Sequence, residues 1–408
     1  MKILVLLPRF PYPLDKGDKL RAYHQIVELS RQHDIYLFAL SHEPVEKEDV
    51  VALQPFCRDI HVERLNRCAC YLGVLRAFIH RQPFQLGYWT TPHAQHAFDA
   101  YRRQVQPDVV YCQMVRTIPT LNTKHFGVPS ALPATLNTKQ ILDFQDALSL
   151  NTRRRMERSR GPLRWVLKYE YQALQRIEQH ALQLFDATTV ISSIDQSALS
   201  PTVALVPNGV DTDYFNTEHF GVPSARPTTL NAKHYSIVFC GNMSYAPNVD
   251  AARWLVKEIM PLVWEQCPYG INVLIAGADP KPAVKALAGP KVTVSGRLDD
   301  IRTAYASSQI FVAPMRIGSG MQNKLLEAMA MGLPCVTTTL AAAPLGATAW
   351  EHLLVGDTAE QLADMIVKLT IEELHNTIAD AGHRFVMEHH SWHAAAEPLE
   401  ALLNQSNN

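Results

Sequence analysis

The sequence predicts an α/β protein made of two doubly wound, Rossmann-like domains. Three observations carry this expectation. The chain has 408 residues, and at about 100–200 residues per domain two domains are expected. Short apolar runs alternate with amphipathic helical runs, the pattern of parallel strands joined by crossover helices. A turn-rich segment, Val206-Pro-Asn-Gly-Val-Asp211, separates two such halves and suits a hinge.

In the first half, strands are expected near 3–7, 35–40, 109–112, 141–144 and 188–191. In the second half they are expected near 236–240, 272–276, 292–295, 310–313 and 334–337. The implied domains are 1–205 and 206–385, with a helix in 386–408 that packs back on the first domain.

Composition narrows the function. Hydrophobic residues make up 47% and charged residues 19%, ordinary values for a chain with two buried cores. With a net charge of -1 the whole chain is not built to sit on nucleic acid or on an acidic membrane, so any basic function is local. The seven cysteines are scattered and odd in number, which suits a reducing compartment rather than a disulfide framework. Cys68 and Cys70 lack the second pair that a structural zinc site needs, so no metal is expected. The apolar N-terminal run ends at Pro8, too short for a signal peptide. No apolar run reaches the roughly 18 residues of a membrane span. A cytoplasmic location is expected by elimination.

Residues 122–139 recur at 216–233, with 14 of 18 positions identical. Both copies are rich in Thr, Asn, Pro and Ala and have neither helical nor strand periodicity. They are expected to be inserted surface loops, which are tolerated because closure entropy grows slowly with length.

The most informative stretch runs from Phe311 to Pro334: FVAPMRIGSGMQNKLLEAMAMGLP. It reads as strand, Gly-rich turn, helix and Gly-Pro stop. Gly318 and Gly320 let the backbone approach a ligand closely. The following helix aims free amides and its positive dipole end at the same space, a ready anion site. Lys324 near that end works against the dipole unless an anion is present. Arg316 enters from the strand side. Glu327, three residues past Lys324, projects from the same face and suits the vicinal hydroxyls of a ribose. The spacing alone also fits a surface ion pair; the two glycines and Arg316 favour the ligand site.

With these residues in view, the stretch resembles the donor-binding motif of family-4 glycosyltransferases, whose second motif glutamate falls on Glu327 in the context Leu-Glu-Ala-Met-Ala-x-Gly. Closer still, it resembles the sugar transferases associated with PEP-CTERM and exosortase-type exopolysaccharide systems. The resemblance covers nearly the whole chain outside the two insertions. It includes Pro11-Tyr-Pro-Leu-Asp-Lys-Gly-Asp-Lys19, the hinge, Phe239-Cys-Gly-Asn-Met-Ser-Tyr-Ala-Pro-Asn248 and Ser391-Trp392. It implies the GT-B fold, with the two domains facing across a cleft. It also implies a nucleotide-sugar donor held by the second domain, retention at the anomeric carbon, a glycan or lipid-linked acceptor, and no metal or other cofactor. The donor contacts it implies are Gly17, Gly241, Asn242, Arg297, Arg316, Gly318, Ser319, Gly320, Asn323, Lys324 and Glu327.

The chain departs from the family pattern in three places. The first motif glutamate falls on Ser319. The family's Gly-Arg and Lys after the second domain's first strand fall near Asn242 and Asn248, which leaves Arg316 and Lys324 to balance the diphosphate. The first-domain histidine is replaced in Leu142-Asp-Phe-Gln-Asp146, so Gln145 or Asp146 stands there. The catalytic candidates are therefore Glu327, Asp146 and Gln145. A nucleotide-sugar epimerase of the same fold, or a donor-binding inactive homologue, are the alternatives.

Residues 151–180 hold eight Arg or Lys against three Glu, a local charge of +5, with Trp165, Tyr169 and Tyr171 interleaved. This basic aromatic run suits peripheral contact with the inner membrane, as it suits a solvated helix. Residues 72–81, with Tyr88 and Trp89, form a second candidate surface. Asp211-Thr-Asp213 matches a metal signature of another glycosyltransferase fold, but it sits in the hinge. His389, His390 and His393 have no partner cluster, and no GxGxxG or P-loop follows the first strand.

Overall fold

The computed structural model describes residues 1–121, 138–216, 235–268, 270–318 and 320–405. Most of the two repeated segments, and Ser319, lie outside the described residues. The chain divides into two compact units, Met1–Pro207 with Ala396–Asn408, and Asn208–Ala395.

The sheet of the first unit is parallel throughout. Its strands are β1 (Lys2–Leu7), β2 (Asp34–Ser41), β3 (Asp59–Arg64), β4 (Val109–Gln113), β5 (Lys139–Asp143), β6 (Ala187–Val190) and β7 (Ala204–Leu205). They lie in the order β3-β2-β1-β4-β5-β6-β7. The central strands are continuous apolar runs because helices cover both faces; Ile3 through Leu7 are all buried.

The second unit repeats the plan with β8 (Tyr235–Cys240), β9 (Val273–Ala276), β10 (Val292–Gly296), β11 (Ser308–Ala313), β12 (Cys335–Thr337) and β13 (Leu354–Val355). Their order is β10-β9-β8-β11-β12-β13, again parallel. In each unit the winding reverses beside the first strand, β1/β4 in one and β8/β11 in the other. Ligands of open α/β sheets bind beyond the carboxyl ends of the strands at that point.

Local signals set the helix ends. The Pro92–Val105 helix begins where the Thr91 hydroxyl accepts from the Ala94 amide, and it ends at Gln106 in a left-handed conformation. The helix Ala359–Lys368 opens with a full capping box of Thr358 and Gln361. The helix Trp392–Asn404 places Leu399 and Leu403 in the core that Ile3, Val5 and Leu37 share. Lys139 Nζ donates to the carbonyls of Leu402 at 2.6 Å and Gln405 at 2.5 Å. His33 pairs with Glu400 at 2.9 Å.

All seven cysteines are free. Among the described residues, no helix is long and apolar enough to cross a membrane, and no three His, Cys, Asp or Glu side chains gather as a metal site would require.

Candidate functional site

In the second unit, β11 leads through residues 314–322 into the helix Asn323–Ala330. Leu325, Leu326, Ala328, Met329 and Ala330 bury one side of this helix, while Asn323, Lys324 and Glu327 keep part of their surface open. Gly318 (φ 141°) and Gly320 (φ 75°) adopt conformations that favour glycine. No side chain caps the helix at Gln322. Its first-turn amides and dipole are therefore left to attract an anion.

Lys324 is held at this opening. Its Nζ donates to Asn248 Oδ1 at 2.5 Å and lies 5.1 Å from the centre of the Phe239 ring. Asn248 is itself oriented, because its Nδ2 donates to the Asn242 carbonyl at 2.9 Å. Gly241 follows β8 with φ 159°; a Cβ there would stand 2.7 Å from Asn248 Nδ2 and 3.3 Å from Lys324 Nζ. Burial pulls the Lys324 amine down to about 8, and the neighbouring Glu327 carboxylate works against that fall. Burial pushes the Glu327 carboxyl up, against the opposing pull of the Tyr305 hydroxyl and Lys324. That hydroxyl donates to Glu327 Oε2 at 2.7 Å.

Gly277, after β9, has φ 138°, and a Cβ on it would run into the Gly241 carbonyl. Gly277→Ala is expected to destabilise the second unit by about 3 kcal/mol through overpacking and backbone strain. Urea unfolding checks this; an unchanged midpoint would contradict the close approach.

The remaining second-unit candidates are more dispersed. Arg316 forms a two-point ion pair with Asp250, at 3.1 and 2.9 Å, and lies over the Trp254 ring at 4.6 Å. Its guanidinium is ion-paired with Asp250, whereas the Lys324 amine is held by the neutral Asn248 amide with Glu327 as its charged neighbour. Asn323 Oδ1 accepts from Asn208 at 3.2 Å. Arg297 is exposed just past β10. Asn242 Oδ1 accepts from the Ser244 amide at 2.9 Å and hydroxyl at 2.7 Å.

The first unit holds Gly17, Gln145 and Asp146. Gly17 opens the helix Gly17–Ser30, and a Cβ on it would meet open space. Gln145 is buried with φ 63°, a strained value for a non-glycine residue of the sort that clusters at functional sites. Its amide donates to Asp143 Oδ1 at 3.1 Å and its carbonyl accepts from Ile191 at 3.0 Å. Its Nε2 is buried without a hydrogen-bond partner among the described residues.

Asp143 is a fully buried carboxylate. Besides the Gln145 amide it accepts from Arg21 Nε at 2.7 Å, Tyr111 at 3.0 Å and Thr189 at 3.0 Å. Burial, with the charge of Asp195 next in weight, pushes the Asp146 carboxyl up to about 7. The folded chain therefore holds a proton there that the unfolded chain has lost, so this contribution to stability falls as pH rises from about 4 to about 7. Asp146→Asn is expected to flatten the decline of the urea midpoint across that window; an identical slope would contradict the shift.

The comparisons with known proteins bear on the fold. Sucrose-phosphate synthase from Thermosynechococcus elongatus superposes with a TM-score of 0.64 at 15% identity, covering 98% of each chain. HepE from Anabaena, solved in complex with UDP, gives a TM-score of 0.66 at 14% identity over 99% of each chain. The fold is GT-B. Within this GT-B chain, residues 234–371 match the family described as Glycosyl transferases group 1. That match contains every second-unit candidate from Gly241 to Glu327. An uncharacterized 44.6 kDa protein in the cps region of Klebsiella pneumoniae is 20% identical over 380 residues, 90% of either chain.

Three residues that hold this arrangement were not candidates from the sequence: Tyr305, Asp250 and Gly277. Tyr305 and Asp250 sit in helical runs that look like ordinary amphipathic surface. Gly277, in Ala276-Gly-Ala278 after a strand, carried a usable signal.

Proposed function

We propose that this chain is a retaining, metal-independent glycosyltransferase that takes a nucleotide-sugar donor in its second unit. The observation that carries the reading is the Lys324 amine, fixed by Asn248 at the uncapped start of the Asn323–Ala330 helix beside Glu327. In this reading the donor diphosphate lies at the helix opening, and Glu327 accepts the ribose hydroxyls. Negative charge grows on the diphosphate as the glycosidic bond breaks, and Lys324 and the helix dipole stabilise it in place. The transferred sugar is a hexose, and the acceptor is a glycan or lipid-linked glycan of cytoplasmic exopolysaccharide assembly. The acceptor hydroxyl attacks the anomeric carbon from the face that the diphosphate leaves and gives its proton to a departing phosphate oxygen, so the configuration is retained. The UDP held by HepE and the cps region of the Klebsiella relative support this reading.

The test is incubation with UDP-, GDP- and dTDP-sugars and candidate acceptors. Acceptor-dependent nucleotide release supports transfer. Interconversion of the free donor would replace it with epimerisation, and binding without turnover with an inactive homologue. Glu327→Ala is expected to raise the donor Kd about 10- to 100-fold, the loss of one or two hydrogen bonds to a charged group. Isothermal titration reads this directly, and an unchanged Kd would remove Glu327 from the site.

A further inference from the structure

The first unit carries an apolar surface that its own core does not use. Of the helix Arg67–Ile79, only Cys70 and Ala77 are buried. Tyr71, Leu72, Leu75, Phe78 and Ile79 are all more than half exposed. The start of the helix Pro162–Leu184 exposes Leu163, Val166 and Trp165, the last at 76%. The two helices are neighbours. Tyr169 donates to the Gln82 carbonyl at 3.1 Å and packs its ring 5.6 Å from Phe78, and Arg176 donates to the Arg81 carbonyl at 3.1 Å. Contiguous exposed apolar residues on this scale mark an interaction surface.

The surrounding charge indicates the partner. Arg67, Arg76, Arg81, Arg160, Arg164 and Lys168 are exposed on the same two helices and their flanks. Arg160, Arg164 and Lys168 precede or lie in the first turns of the Pro162–Leu184 helix beside Leu163, Trp165 and Val166, and every one of the three is exposed. Aliphatic and aromatic side chains rimmed by Arg and Lys complement an anionic lipid surface: the apolar groups enter the acyl boundary and the cations meet phosphates. Under the Arg67–Ile79 helix lies a partly open cavity of about 240 Å³ lined by Leu72, Ala77, Leu86, Pro92 and Pro119 among others. Its carbon-rich wall offers a lipid chain a place to enter.

We infer that the Arg67–Ile79 helix and the first turns of the Pro162–Leu184 helix dock on an anionic phospholipid bilayer. The inference is independent of the donor site and goes beyond the transferase reading.

Co-sedimentation of the full chain with phosphatidylglycerol–phosphatidylcholine vesicles, against phosphatidylcholine alone, tests it. The chain is expected to partition at least about tenfold more strongly onto the anionic vesicles and to be released as salt rises. Leu75→Ser/Phe78→Ser/Trp165→Ser, all at exposed positions, is expected to lower partitioning about tenfold on the hydrophobic contribution, with circular dichroism and nucleotide binding unchanged. Arg160→Glu/Arg164→Glu/Lys168→Glu is expected to abolish the preference for anionic vesicles. Failure of the parent chain to sediment with anionic vesicles overturns the inference, as does an unaltered triple-serine variant. A dimer in light scattering that the triple-serine substitution dissolves also overturns it, by assigning the face to a second copy.

Discussion

Lys324→Ala is expected to weaken binding of a nucleoside diphosphate about 100-fold, the largest functional effect of any single substitution in the second unit. The reason lies in how the amine is held. Asn248 fixes it at 2.5 Å beside a helix end with no side-chain cap, and Arg316 is drawn off by Asp250. A charge-assisted hydrogen bond to phosphate is worth about 1.5–3 kcal/mol, and every 1.4 kcal/mol is about tenfold in Kd. The pH dependence is a second readout. With the amine pulled down to about 8, the cation is lost as pH rises past that value, so the parent's affinity declines above about pH 8. The variant's profile stays flat there. Stability moves the other way. A lysine whose folded pKa is lowered opposes folding most strongly below the folded value, and the penalty disappears as pH rises toward the unfolded value. Lys324→Met is therefore expected to raise the melting temperature of the ligand-free protein at neutral pH while lowering affinity, the exchange of stability for function common at binding sites. Isothermal titration from pH 6 to 9.5, with parallel melts, decides the matter; equal Kd values for parent and variant would remove the anion site.

Asp143→Ala is expected to cost the first unit about 3–5 kcal/mol, the largest stability effect. Asp143 is wholly buried and accepts from Arg21, Tyr111, Thr189 and the Gln145 amide. Its removal leaves the Arg21 guanidinium, itself 1% exposed, without its carboxylate. Breaking one half of a buried ion pair costs far more than the pair contributes when intact. Arg21→Met/Asp143→Leu is accordingly expected to recover much of the loss. Because the chain has two units, urea unfolding should resolve two transitions, with only that of the first unit moved. Equal shifts in both, or none, would contradict this placement of the energy.

Strands were legible in the sequence where burial on both faces makes them continuous apolar runs, as in β1, β2, β8 and β11. The strands β3, β7 and β13 were not. The first, DIHVER, is a half-exposed edge with charged ends, and the other two are two residues long. The strand–turn–helix of 311–334 was legible because it is local: strand, glycine turn and helix follow one another. What fixes its side chains was not, because the partners come from elsewhere in the chain. Asn248 is 76 positions from Lys324, Asp250 is 66 from Arg316, and Tyr305 is 22 from Glu327. No periodicity reports such pairings. The sequence offers Arg316 and Lys324 alike as cations for a diphosphate; only side-chain positions reveal that Arg316 is ion-paired with Asp250.

The return of the chain to its first unit has a consequence for biosynthesis. Leu399 and Leu403 fill the core beside β1, and Lys139 is tied to the Leu402 and Gln405 carbonyls. A ribosome translates all of Asn208–Ala395 before it makes Leu399, Leu402, Leu403 and Gln405. The earlier-made half therefore waits with an open hydrophobic slot on the nascent polypeptide, and it is sealed only by a segment synthesised after the later half. Domains usually fold in the order of their synthesis; here the first to emerge is the last to be finished.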